Sequence, residues 1–251
     1  MEKLNRITQK NTLDRPKLIA HRGLATNAPA NSIPSFQAAG KMRFWAIETD
    51  VHKSKDGVLV CNHDATVDAM YDGVGRIADM TYDELMKLRL RVDSRHNSWS
   101  GDLLHMPSFD EYLAICKKYD AIPFIETKTD DIADVIEAAC RYFKEEDVVI
   151  SSSAELHLQA ARQISDKVFI HHIFSDRDAV ARLSLLGNSG VSFNYPAYKA
   201  FPRILLEEAH AVGVEVCLRA GDSVEAVCDM IHMGLDYVPT NCITTLMMKE
   251  G

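Results

Sequence analysis

The chain has 251 residues and a mass of 28.1 kDa, which allows one large α/β domain or two small ones. Its apolar fraction of 47% excludes a disordered chain, and its net charge of −8 argues against a nucleic-acid partner, which would favour a basic surface. No apolar run reaches the ~18 residues of a membrane span, and residues 1–17 lack the apolar segment of a signal peptide. We therefore expect a cytoplasmic protein with no stable membrane association.

Strand-like and helix-like segments alternate along the chain. The predicted strands are 17–21, 44–51, 121–127, 147–153, 167–174, 190–195, 214–219 and 236–240. The predicted helices are 32–41, 107–119, 130–143, 154–164, 178–186, 202–212, 222–233 and 242–249. Eight β-then-α units in a chain of this length predict a (β/α)8 TIM barrel. A doubly wound sheet is the alternative fold, but it often carries a glycine-rich phosphate loop, and this sequence has none.

A long segment separates the second and third predicted strands, far longer than one β–α unit requires. It contains an additional strand at 58–63 and an additional helix at 81–90, followed by a polar, turn-like region at 91–106. We therefore predict a single barrel domain over residues 1–251, with an insertion at about 53–106 above the barrel mouth.

Charged residues two positions apart end two of the predicted strands. Glu48 and Asp50 end the second strand, and Glu126 and Lys128 end the third. Residues i and i+2 of a strand share a face, and a barrel gathers the C-terminal ends of its strands at one opening. Three carboxylates at the ends of buried strands are costly unless a positive group lies among them. We therefore predict that Glu48, Asp50 and Glu126 hold one divalent cation, Mg²⁺ or Ca²⁺.

Histidines and cationic residues end the neighbouring strands. His21 and Arg22 end the first strand, and His63 ends the additional strand. Two histidines suit a general acid and a general base, while Arg22 and Lys128 suit the charge of a phosphate. The set indicates metal-assisted phosphoryl chemistry on a small-molecule phosphodiester. Each residue taken alone also has a structural alternative, such as a turn histidine or a surface ion pair.

Two features later in the chain lie near the same opening. Arg219 ends the predicted strand 214–219, where we predict contact with an anionic substrate group; an ion pair with a loop carboxylate is the alternative. His171 and His172 are adjacent near the end of strand 167–174. Strand alternation places only one of them inward, where we expect packing or a supporting role rather than metal ligation.

The sequence from residue 18 to residue 128 resembles the opening of the glycerophosphodiester phosphodiesterase family. That family's pattern runs HRG, PEN(T/S), IExDV, KDG and HD in this order. The matching pieces here are His21-Arg22-Gly23, Pro29-Ala30-Asn31, Ile47-Glu48-Thr49-Asp50-Val51, Lys55-Asp56-Gly57 and His63-Asp64. The resemblance implies a (β/α)8 barrel with a small inserted cap, which hydrolyses glycerophosphodiesters to sn-glycerol 3-phosphate and an alcohol.

The resemblance also implies roles for individual residues. His21 and His63 match the family's catalytic histidines. The family's metal ligands correspond to Glu48, Asp50 and Glu126, and its phosphate contacts to Arg22 and Lys128.

The chain departs from the family pattern at four places. The departures are Ala30 for the glutamate of PEN, Ser151-Ser152-Ser153 for a Ser-Phe, Cys217-Leu218-Arg219-Ala220 for a Trp-Thr-x-Asn-like segment, and Thr240-Asn241 for Thr-Asp. The changes concentrate in the half of the site that shapes the leaving group. We therefore predict a diesterase with an unusual substrate preference.

Two other functions remain open from the sequence. A substrate hydroxyl that attacks the phosphorus would release a cyclic phosphate, as in the similar phospholipase D enzymes of spider venom. A barrel that has lost turnover would bind phosphodiesters without cleaving them. The histidine pair and the three carboxylates favour the hydrolase, which we expect to be a monomer or a homodimer.

Overall fold

The computed structural model describes residues 6–7, 9–26, 28–92, 102–219 and 222–241. The strands are β1 (Leu18–Ala20), β2 (Ala46–Lys53), β3 (Leu59–Cys61), β4 (Ile122–Thr127), β5 (Val149–Ser152), β6 (Phe169–Ile173), β7 (Ser189–Asn194), β8 (Val214–Arg219) and β9 (Val238–Thr240). The helices are α1 (Ile33–Lys41), α2 (Tyr82–Leu85), α3 (Phe109–Lys118), α4 (Ile132–Cys140), α5 (Glu155–Ile164), α6 (Arg177–Leu186), α7 (Arg203–Ala211) and α8 (Val224–His232).

Eight parallel strands form a nearly closed barrel. They follow the order β8-β7-β6-β5-β4-β2-β1-β9, and an isolated parallel bridge between Cys217 and Tyr237 brings β8 beside β9. Helices α1 and α3 to α8 alternate with these strands, which confirms the predicted (β/α)8 barrel. The predicted helix 242–249 lies outside the described residues.

Local capping signals explain where several of the helices begin. The side chains of Ser32, Thr81 and Ser108 each accept a hydrogen bond from the backbone N–H of the third residue of the helix that follows. The side chain of that third residue in turn accepts a hydrogen bond from the backbone N–H of the cap. Asp176 and Ser223 cap α6 and α8 in the simpler one-bond form. Because these caps satisfy otherwise free backbone N–H groups of the first turn, they determine where each helix begins.

The inserted segment carries a small core of its own. Strand β3 pairs antiparallel with the C-terminal half of β2, and the segment buries a separate apolar cluster. The predicted helix 81–90 is wrong beyond Leu85, where α2 ends. Leu90 instead forms a bridge with Tyr71, and its N–H donates to the carbonyl of Leu104. Leu90 is therefore buried in the apolar cluster of the insertion rather than on one face of a longer helix.

The described helices are all too short, or too polar, to cross a lipid bilayer.

Candidate active site

One cleft of about 240 Å³ opens where the C-terminal ends of the parallel strands meet. Its lining contains seven of the eight predicted site residues: His21, Arg22, Glu48, His63, Glu126, Lys128 and Arg219. The eighth, Asp50, is fully buried and contacts both Arg22 and Lys128. The structure therefore brings together residues that are far apart in the sequence.

Three carboxylates form a compact cluster in this cleft. Glu48, Asp50 and Glu126 each offer one oxygen atom, and these atoms all lie within 4.8 Å of one another. The register of the sheet pairs Asp50 directly with Glu126 across β2 and β4. Burial raises the pKa of Glu48 well above its usual range, and the charges of Asp50 and Glu126 raise it further. Burial and the charge of Asp50 also raise the pKa of Glu126.

Two oxygen atoms of the cluster lack a hydrogen-bond donor. Among the described residues, Oε1 of Glu48 and Oδ1 of Asp50 are buried and accept no hydrogen bond. Lys128 Nζ lies 3.3 Å from Asp50 Oδ1, close enough for an ion pair but without hydrogen-bond geometry. Buried carboxylate oxygens without donors are costly, and three converging carboxylates are the ligands that a hard divalent cation prefers. The residues present thus fit the predicted cation.

The remaining carboxylate oxygens are fixed by the turn after β1 and the loop before α1. The backbone N–H of Arg22 donates to Glu48 Oε2 at 2.6 Å, and Arg22 Nε lies 3.5 Å from Asp50 Oδ2. The side-chain amide of Asn31 donates to the same Asp50 oxygen at 2.9 Å and accepts from the Thr49 hydroxyl at 2.8 Å. These bonds hold both carboxylates with their free oxygens toward the cluster.

Unusual backbone angles make this arrangement possible. Arg22 and Asn31 have φ angles of 59° and 51°, in the left-handed region that residues other than glycine rarely adopt. Gly23 also has a positive φ, and an added Cβ would collide with Ser35. Backbone strain of this kind often occurs at functional sites. Asn31 was not among the residues predicted to form the site. Its place in the Pro29-Ala30-Asn31 motif is a sequence feature that could have indicated its role.

Lys128 lies between two of the carboxylates. Its ammonium group contacts Glu126 Oε1 and lies 3.3 Å from Asp50 Oδ1. Burial lowers the pKa of Lys128, but the contacts with Glu126 and Asp50 together outweigh burial and raise it. Glu126, near the end of β4, and Lys128, just after it, therefore point to the same side, as their spacing predicts, and both line the cleft rather than an outer surface.

The two histidines have different surroundings. Burial lowers the pKa of His21 to about 3, with further contributions from the charges of Arg219 and Arg22, so its ring is neutral at pH 7. The side chain of His63 is 42% exposed, and its Nδ1 lies 2.7 Å from Asp64 Oδ1. A carboxylate at this distance fixes the orientation of an imidazole ring.

The adjacent histidines of β6 face in opposite directions. His171 lines the cleft, is buried, and has its Nδ1 2.9 Å from the Ser151 hydroxyl. His172 instead has its Nδ1 2.9 Å from the Ser175 hydroxyl. The prediction that only one of them points inward is confirmed, and His171 is not among the groups placed to hold a metal.

Ala30 is not among the residues that line the cleft of the carboxylate cluster. It lines a neighbouring surface cleft together with Thr26, Met70 and Asn241, rather than the cleft that contains His21. The replacement of the family's glutamate by Ala30 therefore changes the wall of this second cleft.

Comparison with known proteins identifies the family. Residues 21–241 match the model of the Glycerophosphoryl diester phosphodiesterase family. The chain belongs to this family. A glycerophosphodiester phosphodiesterase from Caldanaerobacter subterraneus subsp. tengcongensis is 28% identical over 248 residues, which cover 93% of this chain and 98% of that protein. Bovine glycerophosphodiester phosphodiesterase 1 is 33% identical over 116 residues, but the match covers only 46% of this chain and 34% of the bovine protein.

Solved structures show the same fold. An Oleispira antarctica phosphodiesterase in complex with the product sn-glycerol-3-phosphate superposes with a TM-score of 0.81 at 22% identity, covering 93% of this chain and 96% of the other. A glycerophosphodiester phosphodiesterase from Agrobacterium tumefaciens gives a TM-score of 0.78 at 22% identity, covering 92% and 99%.

Proposed function

We propose that this protein is a metal-dependent phosphoric diester hydrolase that cleaves glycerophosphodiesters to sn-glycerol 3-phosphate and an alcohol. The observation that carries the proposal is the carboxylate cluster with its two donor-free oxygens in the same cleft as His21 and His63. Membership of the family supports the substrate class. So does the similar fold of a phosphodiesterase that was solved with sn-glycerol-3-phosphate.

Glu48, Asp50 and Glu126 would hold one divalent cation, Mg²⁺ or Ca²⁺. When bound, such a cation would polarise a phosphoryl oxygen and offset the negative charge on the phosphoryl oxygens. Arg22 and Lys128 add positive charge on the same side of the cleft and bind the phosphate of the substrate.

The histidines transfer the protons. His21 is neutral, so its ring accepts a proton from the attacking water. His63, whose ring is held by Asp64, gives a proton to the departing alkoxide. Arg219 lines the same cleft and contacts an anionic group of the substrate.

Phosphorus NMR of the products tests this proposal. The protein is incubated with a panel of glycerophosphodiesters and Mg²⁺, Ca²⁺ or Mn²⁺, with a chelator as the metal-free control. We expect the signal of sn-glycerol 3-phosphate to appear only with metal. A cyclic phosphate signal would instead indicate the lyase, and no turnover of any diester with any metal would indicate a binding protein.

A further inference from the structure

Two polar side chains stand together on the far wall of the cleft. Asn194 ends β7 and Arg219 ends β8, and the register of the sheet places them opposite each other. Ser192 and Cys217 are paired in the same way two residues earlier, and all four residues line the cleft. Because residues i and i+2 of a strand share a face, Asn194 and Arg219 both extend this wall toward the opening.

This pair stands opposite the carboxylate cluster. The barrel has eight strands in its ring, and the carboxylates are on β2 and β4. Strand β7 is four positions from β2 and three from β4, and strand β8 is four positions from β4 and three from β2. Four positions in a ring of eight is the maximum separation. One of the two substituents of a phosphate bound at the cluster would then extend toward Asn194 and Arg219.

Arg219 is exposed at the opening and forms no ion pair with any described residue. In the ranges that the structure describes, no carboxylate or carbonyl contacts its guanidinium. The other two cationic residues of the cleft are engaged, Arg22 with Asp50 and Lys128 with both Asp50 and Glu126. The carboxylates that line the cleft, Glu48 and Glu126, are on β2 and β4, which lie three and four positions round the ring from β8.

We propose that Arg219 and Asn194 form a subsite for an alcohol group that itself carries an anionic oxygen group, a carboxylate or a phosphate. The proposal rests on the proposed function, because it assumes a bound glycerophosphodiester. The glycerol half of such a diester is uncharged, so an anion at this position belongs to the alcohol. The planar guanidinium donates two parallel hydrogen bonds to such a group, and the neighbouring amide N–H donates a third.

An alcohol that carries a cationic group, such as choline, is the alternative to an anionic one. Phe174 and Phe193 are also among the residues that line the cleft, and aromatic rings attract quaternary ammonium groups. The guanidinium of Arg219 in the far wall repels a cation, however, and the described residues place no carboxylate there to offset it. We therefore expect choline esters to be poor substrates relative to anionic ones.

The test compares two matched substrates. One is the glycerophosphodiester of 3-hydroxypropanoate, which carries a carboxylate, and the other is that of 3-hydroxypropanamide, its neutral isostere. The measured quantity is the ratio of their kcat/KM values. We expect wild type to prefer the carboxylate by about tenfold or more, and Arg219→Gln to reduce this ratio about tenfold, mainly through KM. Asn194→Ala is expected to lower it less, and Arg219→Lys to give an intermediate ratio because the charge remains without the planar fork.

The control is Arg203→Gln, which removes the same charge from an exposed position on α7 outside the cleft. It should leave the ratio unchanged. A wild-type ratio near one would overturn the proposal. An equal loss of kcat/KM for both substrates in Arg219→Gln would also overturn it, because Arg219 would then act on the reacting phosphate or the glycerol. Calorimetric titration of both diesters in the presence of Ca²⁺ gives the corresponding ratio of Kd values. That ratio decides the proposal even if no diester is hydrolysed and the proposed function fails.

Discussion

The pH dependence of folding stability is expected to depend on Glu215, at the end of the barrel opposite the cleft. Its Oε2 lies 3.6 Å from the ammonium group of Lys17, which also donates to the carbonyl of Ile7 at 2.5 Å. Lys17 lies against the rings of Trp45 and Tyr237, with its Nζ 5.2 and 5.6 Å from their centroids. The pair thus lies against aromatic rings, and the charge of Asp236 also raises the pKa of both Lys17 and Glu215.

Burial raises the pKa of Glu215 from 4.5 to about 7, although attraction to Lys17 opposes the change. The folded protein thus binds this proton more tightly than the unfolded chain does. The resulting stability is fully present below about pH 4.5 and is lost as the pH rises through about 7. A difference of about 2.5 between the two pKa values corresponds to a loss of about 3 kcal/mol.

Glu215→Gln should not undergo this loss, because its side chain stays neutral. We expect its unfolding free energy to exceed that of wild type by a margin that grows by about 3 kcal/mol between pH 4.5 and pH 8. Urea titrations followed by tryptophan fluorescence measure this margin, since Trp45 lies beside the pair. Glu207→Gln, an exposed change on α7, is the control and should follow the wild-type profile. Parallel profiles for wild type and Glu215→Gln would refute the reasoning, because Glu215 would then titrate alike in both states.

Three further outcomes are expected. His21→Ala and His63→Ala should each lower kcat by roughly 10² to 10⁴ with unchanged circular dichroism; a smaller loss in the NMR assay would remove that histidine from proton transfer. Glu48→Gln should weaken metal binding in calorimetry, and excess metal should partly restore turnover; normal metal affinity would contradict its role as a ligand. Gly190→Ala should lower the unfolding free energy by about 1–3 kcal/mol, because its new methyl group would overlap the Tyr237 hydroxyl. Unchanged stability in urea would show that the ring can move aside.

Much of the barrel could be predicted from the sequence because its signals are local. Each of the eight parallel strands overlaps a predicted one, since a short apolar run bounded by turn residues is sufficient to mark a buried strand. The failure at 81–90 has the same origin. A helical pattern there competed with contacts to Tyr71 and Leu104, which lie in other parts of the insertion.

The site was partly predictable for a similar reason. The i, i+2 spacing determines that Glu48 shares a face with Asp50, because strand periodicity is a property of the backbone. The hydrogen bond from Asn31 to Asp50 was not predictable in this way, since it depends on a left-handed turn that carries the chain back over β2.

The sequence by itself therefore determined the order of the elements, the faces of the strands and the chemical types of residue at their ends. Only the tertiary structure decided which of these groups meet. The pairing of Asn194 with Arg219 and of Lys17 with Glu215 follows from the register of neighbouring strands and the closure of the ring. Register and closure depend on all eight strands at once, so no single segment of the sequence specifies them.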